Sequence, residues 1–176
     1  MSTYTGWMAS LAAVTLLAAA SPARAAAPTG AGAAGLDRIM ALAGEWVAAE
    51  DNEMVKKGDL VSRYVVSAGG TAVVETVFPG SPHEMVTVYH LDGSDLVLTH
   101  YCMEGNQPRM RARKADGSRI DFAFEGGTNI DPAHTKHMNS AWIEFVGGDE
   151  IRNQWTEIAD GKPVFVAKSH LVRKAR

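Results

Sequence analysis

His100 and Cys102 stand two residues apart in the run Leu98-Thr99-His100-Tyr101-Cys102. If that run is a strand, residues at i and i+2 share a face, so an imidazole and a thiol point one way and Tyr101 points the other. Such a pair could give two ligands to zinc or copper, with His134 and His137 supplying the rest from a later loop. The competing reading is a buried free cysteine packing as a small hydrophobe beside a hydrogen-bonded histidine. Thiol hydrolysis is a third. It needs contact between thiol and base, and same-face neighbours on a strand stand about 7 Å apart.

A second polar group follows at once, in Asn106-Gln107-Pro108-Arg109. Amide and guanidinium groups on a proline-stiffened loop could recognise a ligand carbonyl or carboxylate, or could satisfy backbone groups of their own turn. Arg109, Arg111 and Arg113 project together from one strand face, opposite Met110 and Ala112. That stripe reads as a solvated outer face, with an anionic-ligand site as the alternative.

The elements that must position these residues are strands. Residues 84–110 form two Val-, Leu-, Thr- and Tyr-rich runs around Leu91-Asp92-Gly93-Ser94-Asp95, a hairpin signature because Asp and Gly accept turn torsions that branched residues refuse. Ten such runs, at 46–50, 60–67, 71–78, 84–91, 95–102, 109–114, 119–125, 137–146, 150–158 and 163–172, are separated by turn signals such as Gly69-Gly70, Pro79-Gly80-Ser81-Pro82 and Asp160-Gly161. Short strands joined by short turns predict an antiparallel meander, and a sheet that long tends to curl and close on itself. Ile120, Phe122 and Phe124 alternate with Arg119, Asp121 and Glu125, so that strand has one dry face and one wet face. Trp142 and Trp155 fall on successive strands joined by a glycine-rich turn, which places their rings to meet across the pair. Tyr89 shares a face with Met85 and Thr87, and His90 shares the other with Val86 and Val88.

Only one stretch of the body carries helical spacing. Within residues 35–43, Leu36, Ile39, Met40 and Ala43 recur at three and four, predicting a short amphipathic helix able to close one end of a barrel. Residues 26–34 are small and read as a flexible linker. Ahead of them, the apolar run 8–20 is too short to span a membrane and leads to Ala23-Arg24-Ala25, a signal-peptidase pattern. The sequence therefore predicts a signal peptide over 1–25, export to the periplasm or beyond, and no stable membrane insertion after cleavage.

At 176 residues the chain fits a single domain. Its one cysteine allows no internal disulfide, so an exported chain must be held by its core alone. Losing Arg24 with the leader moves the formal charge from -3 to -4. Nothing in that balance provides the basic field that nucleic acid requires. Oligomeric state is not legible in the sequence.

A short helix leading into Gly44-Glu45-Trp46, followed by about ten strands, resembles the lipocalin-like, calycin-type β-barrels, and the hairpin ending in Thr99-His100-Tyr101-Cys102 with Gly105-Asn106-Gln107-Pro108 is similar to their secreted bacterial relatives of unknown function. The resemblance implies an all-β fold: a single antiparallel up-and-down barrel of about eight to ten strands over residues 35–176, with Trp46 sealing the floor. It also implies an interior that takes a small hydrophobic molecule, with Tyr89, His100, Tyr101, Asn106, Gln107 and Arg109 at the pocket or its mouth. Two other readings stay open. One is a metal- or haem-dependent enzyme using His100, Cys102, His134 and His137, through similarity to nitrobindin-like haem barrels. The other is a structural or interaction protein whose barrel is filled by its own side chains.

Overall fold

The computed structural model describes residues 31–115 and 117–175; the predicted signal peptide and most of the predicted linker lie outside them. One helix, α1 (Ala31–Met40), precedes ten strands: β1 (Gly44–Ala48), β2 (Leu60–Ser67), β3 (Ala72–Val77), β4 (Met85–Asp92), β5 (Asp95–Tyr101), β6 (Gln107–Lys114), β7 (Arg119–Thr128), β8 (His137–Gly147), β9 (Glu150–Ala159) and β10 (Lys162–Arg173). Each strand pairs antiparallel with its neighbours in sequence, and β1 closes the sheet by pairing with both β2 and β10. The expected up-and-down barrel is thus the fold, with ten strands.

Alternation decides which side chains enter the barrel. Leu96, Leu98 and His100 point inward from β5, while Tyr101 lies outside and is exposed. On β7 the inward set includes Ile120 and Phe122. The arginine stripe of β6 faces outward, where Arg109 and Arg111 bridge Asp92, Asp95 and Glu125. The tryptophans do not meet: Ala141 is the cross-strand partner of Trp155, and Trp142 that of Gln154. Trp142 therefore sits outside under the Arg119 guanidinium, 4.3 Å from its ring centroid, and Trp155 sits inside. Adjacent strands bring residues level, but a register offset of one puts them on opposite faces.

One end of the barrel is sealed. Leu36, Ile39 and Leu42 bury against Trp46, whose indole Nε1 donates to the Leu42 carbonyl oxygen at 2.7 Å. The Arg173 guanidinium stacks over the Trp46 ring at 4.5 Å and donates to the carbonyls of Ala43 and Ala41 at 2.8 and 2.9 Å. Those carbonyls belong to the end of the helix and the turn after it, so one cation fixes helix, floor and last strand together.

The helix begins four residues earlier than its apolar spacing predicts, at Ala31 rather than Gly35. Small residues explain the extension. A Cβ on Gly32 would overlap the Ser94 carbonyl oxygen in the β4–β5 turn, and one on Gly35 would stand 3.0 Å from Leu96 Cδ2. Contact through bare backbone orders a segment that has no apolar stripe of its own. Gly32→Ala should therefore cost about 1–3 kcal/mol, the usual penalty for overpacking, read as a lower urea midpoint with unchanged far-UV circular dichroism. An unshifted midpoint would mean that the first helical turn is not seated on the β4–β5 turn.

Candidate functional site

Opposite the sealed floor, the barrel holds a cavity of about 990 Å³. That is near the upper end of the ~300–1,000 Å³ typical of small-molecule sites. Its walls are mainly apolar, from Val61, Val77, Met85, Met138, Trp155 and Ala167, and its mouth is framed by loop residues including Met54, Phe78, His83 and Met103. A barrel filled by its own side chains describes only the lower half. There Leu98, Met110, Phe122, Ile143, Ile151 and Leu171 pack into a solid core.

The polar groups of the cavity stand in register. Tyr64 on β2 is paired with Glu75 on β3, Glu75 with Thr87 on β4, and Thr87 with His100 on β5. All four side chains are buried, so one continuous row of inward positions crosses four strands in register. Ser62 Oγ donates to Glu75 Oε1 at 2.8 Å, and Tyr89 Oη donates to Glu75 Oε2 at 2.7 Å. Both carboxyl oxygens are thus engaged by hydroxyl donors. Burial raises the Glu75 pKa, while the hydrogen bonds from tyrosine and serine work against that rise. Tyr64 Oη lies close enough to feel the Glu75 charge, yet makes no hydrogen bond of good geometry. Burial first, and the carboxylate charge second, push the pKa of both tyrosines well above normal, so they stay protonated.

His100 ends the row. Its Nδ1 is 2.9 Å from Thr87 Oγ1, its ring packs against Trp155 with centroids 4.9 Å apart and planes tilted by 40°, and its Nε2 has no hydrogen-bond partner among the described residues. Burial lowers its pKa to about 4, so the imidazole is neutral at physiological pH. Across the cavity, Asn153 and Glu157 face inward from β9. Near the mouth Lys136 Nζ lies 2.7 Å from Glu104 and 3.6 Å from Glu157.

Of the residues that the sequence nominates, His100 and Cys102 line the cavity, and Tyr89 reaches it through Glu75. The other four pocket candidates, and the two metal candidates His134 and His137, are not in its walls. Tyr101 points outward by strand alternation, and Arg109 belongs to the outer ion-pair lattice. Asn106 is a strut: its Nδ2 donates to the Lys136 carbonyl at 2.8 Å, tying the β5–β6 turn to the loop before β8. Gln107 bonds back to the Gly105 carbonyl at 3.4 Å. The four proposed metal ligands are dispersed. His134 is exposed beside Asp160, and His137 is buried under Phe124 with its Nδ1 2.6 Å from the Thr135 carbonyl oxygen. Cys102 lies at the rim with its thiol pKa raised by burial. Among the described residues no three His, Cys, Asp or Glu side chains gather as a metal would require, so this set does not fit a transition metal.

Sequence reasoning missed Glu75, Ser62, Asn153 and Glu157. A faint signal existed in Val73-Val74-Glu75-Thr76-Val77, where a carboxylate interrupts a valine-rich strand. No family model and no curated protein matches this chain.

A histidine whose pKa is near 4 in the folded protein and 6.5 when unfolded binds its proton mainly in the unfolded state. Its contribution is therefore intact above the unfolded value and is lost as pH falls from about 6.5 toward 4. The stability of wild type minus that of His100→Gln should fall by about 3 kcal/mol between pH 7 and pH 4, measured by urea unfolding. Glu75 acts in the opposite direction but is common to both proteins and cancels. A flat difference would place His100 in contact with water.

Proposed function

We propose that this barrel binds a small, mostly apolar molecule in its interior. The observation that carries the reading is the cavity of about 990 Å³, open among the loops at one end, apolar along its walls and supplied with a few fixed polar groups at its base. Burying about 300 Å² of apolar ligand surface at about 25 cal/mol per Å² is worth about 7 kcal/mol before ordering costs. Useful affinity then needs no catalytic machinery. A closed meander with a helix and a buried tryptophan across its floor also supports a lipocalin-like assignment. Export is part of the proposal, on the strength of the apolar run 8–20 and Ala23-Arg24-Ala25; the intact mass of protein from its own cells should correspond to a chain beginning at Ala26.

Ala167 faces Trp155 across the β9–β10 pair inside the cavity, and Val166 next to it points outward and is exposed. Ala167→Phe should weaken binding of the uncharged fluorescent probe N-phenyl-1-naphthylamine by at least about tenfold, a loss of about 1.4 kcal/mol. Val166→Phe should leave it unchanged. Equal affinity in both variants would put the probe on the outer surface and remove the support for an interior ligand.

A further inference from the structure

The cavity carries an unbalanced charge. Among its lining side chains Asp59, Glu75, Glu104 and Glu157 are acidic, and Lys136 is the one Lys or Arg among the described residues. That lysine is already held between Glu104 and Glu157. Glu75, buried in the barrel wall, is contacted by hydroxyl donors and is paired with no lysine or arginine among the described residues. A buried carboxylate accepting neutral hydrogen bonds has part of its solvation replaced but none of its charge balanced.

We infer that the occupant is a basic amphiphile, an apolar amine whose ammonium group lies against Glu75 and His100 with its hydrocarbon body along the apolar walls. This rests on the cavity being a ligand site and names the class of ligand it takes. Three groups in the Glu75–Thr87–His100 row and beside it suit a cation. The carboxylate supplies the counter-charge. The imidazole is neutral, and in the tautomer whose Nδ1–H donates to Thr87 Oγ1 its unpartnered Nε2 is an acceptor for an N–H. The Trp155 ring, packed against that imidazole, offers the negative face of an aromatic system. A fatty acid meets the reverse conditions: its carboxylate would approach Glu75 with no free cation to receive it, and like charges at short range in a dry site repel strongly.

The test is a matched series of decylamine, 1-decanol and decanoate below their aggregation limits near neutral pH, followed by Trp fluorescence and calorimetry on the wild-type protein. Decylamine should bind at least about tenfold tighter than 1-decanol, and decanoate weakest, the spread expected when one desolvated ion pair is gained or one repulsion is added. Glu75→Gln, which keeps the shape and one acceptor oxygen while the hydroxyl facing its amide nitrogen, on Ser62 or Tyr89, turns to accept, should bring the amine down to the alcohol and leave the alcohol unchanged. Glu157→Gln provides a second variant, with a smaller loss for the amine alone. Alcohol binding with no preference for the amine would overturn the charge inference while leaving an apolar cavity site standing. Failure of all three ligands would remove the interior ligand, and this inference with it.

Discussion

Closing the sheet rests on a seam of three residue pairs, Trp46↔Arg173, Val47↔Val172 and Ala48↔Leu171, between the shortest strand and the longest. A ladder that short supplies few hydrogen bonds, so side chains reinforce it. Arg173 stacks on Trp46, binds the carbonyls after α1 and pairs with Asp149 at 2.7 Å, while Lys174 reaches Glu45 at 2.9 Å. The ion pairs with Asp149 and Glu45 are exposed and worth little singly. The stacked and bidentate contacts hold the geometry. Without the seam the sheet has two raw edges and no enclosed space.

The division of the interior follows from the seam and the floor. Apolar residues fill the end that α1 covers, and the other end keeps its volume because smaller or polar residues such as Ser62, Ala167 and Ser169 take inward positions. The buried hydroxyls and carboxyl of that level would be costly if unpaired. They are instead joined to one another, Ser62 and Tyr89 on Glu75 and Thr87 on His100, across four adjacent strands. A network so placed makes one stretch of the inner wall polar and holds its groups in fixed positions. The outer ion pairs of Arg109 and Arg111 lie on the other side of the same strands and contribute nothing to the cavity.

Much of the architecture was legible in the residues. Each of the ten apolar runs corresponds to a strand, because period-two alternation between glycine- and aspartate-bearing turns is a local property. The arginine stripe of residues 109–113 lies on the outer face for the same reason. Helix α1 was read short because its first residues are small and non-periodic, and what orders them is contact with the β4–β5 turn, a partner distant in sequence. The site was less legible. His100 does line the cavity and Tyr89 touches it through Glu75, yet Tyr101, Asn106, Gln107 and Arg109 are marked in the sequence by polarity near a turn, and polarity does not say on which side of a wall a residue stands.

The sequence by itself determined the strands, their order, the turns between them and the apolar character of the interior, since alternation and turn chemistry act over a few residues. Only the tertiary structure decided which inward positions line up in one continuous row. Tyr64, Glu75, Thr87 and His100 are spread over thirty-seven positions of the chain, numbers 64 to 100, and meet because ladder register aligns them. Each ladder's register is set where its own turn closes, and the row exists only when three successive ladders are combined, so no single short window of sequence contains it.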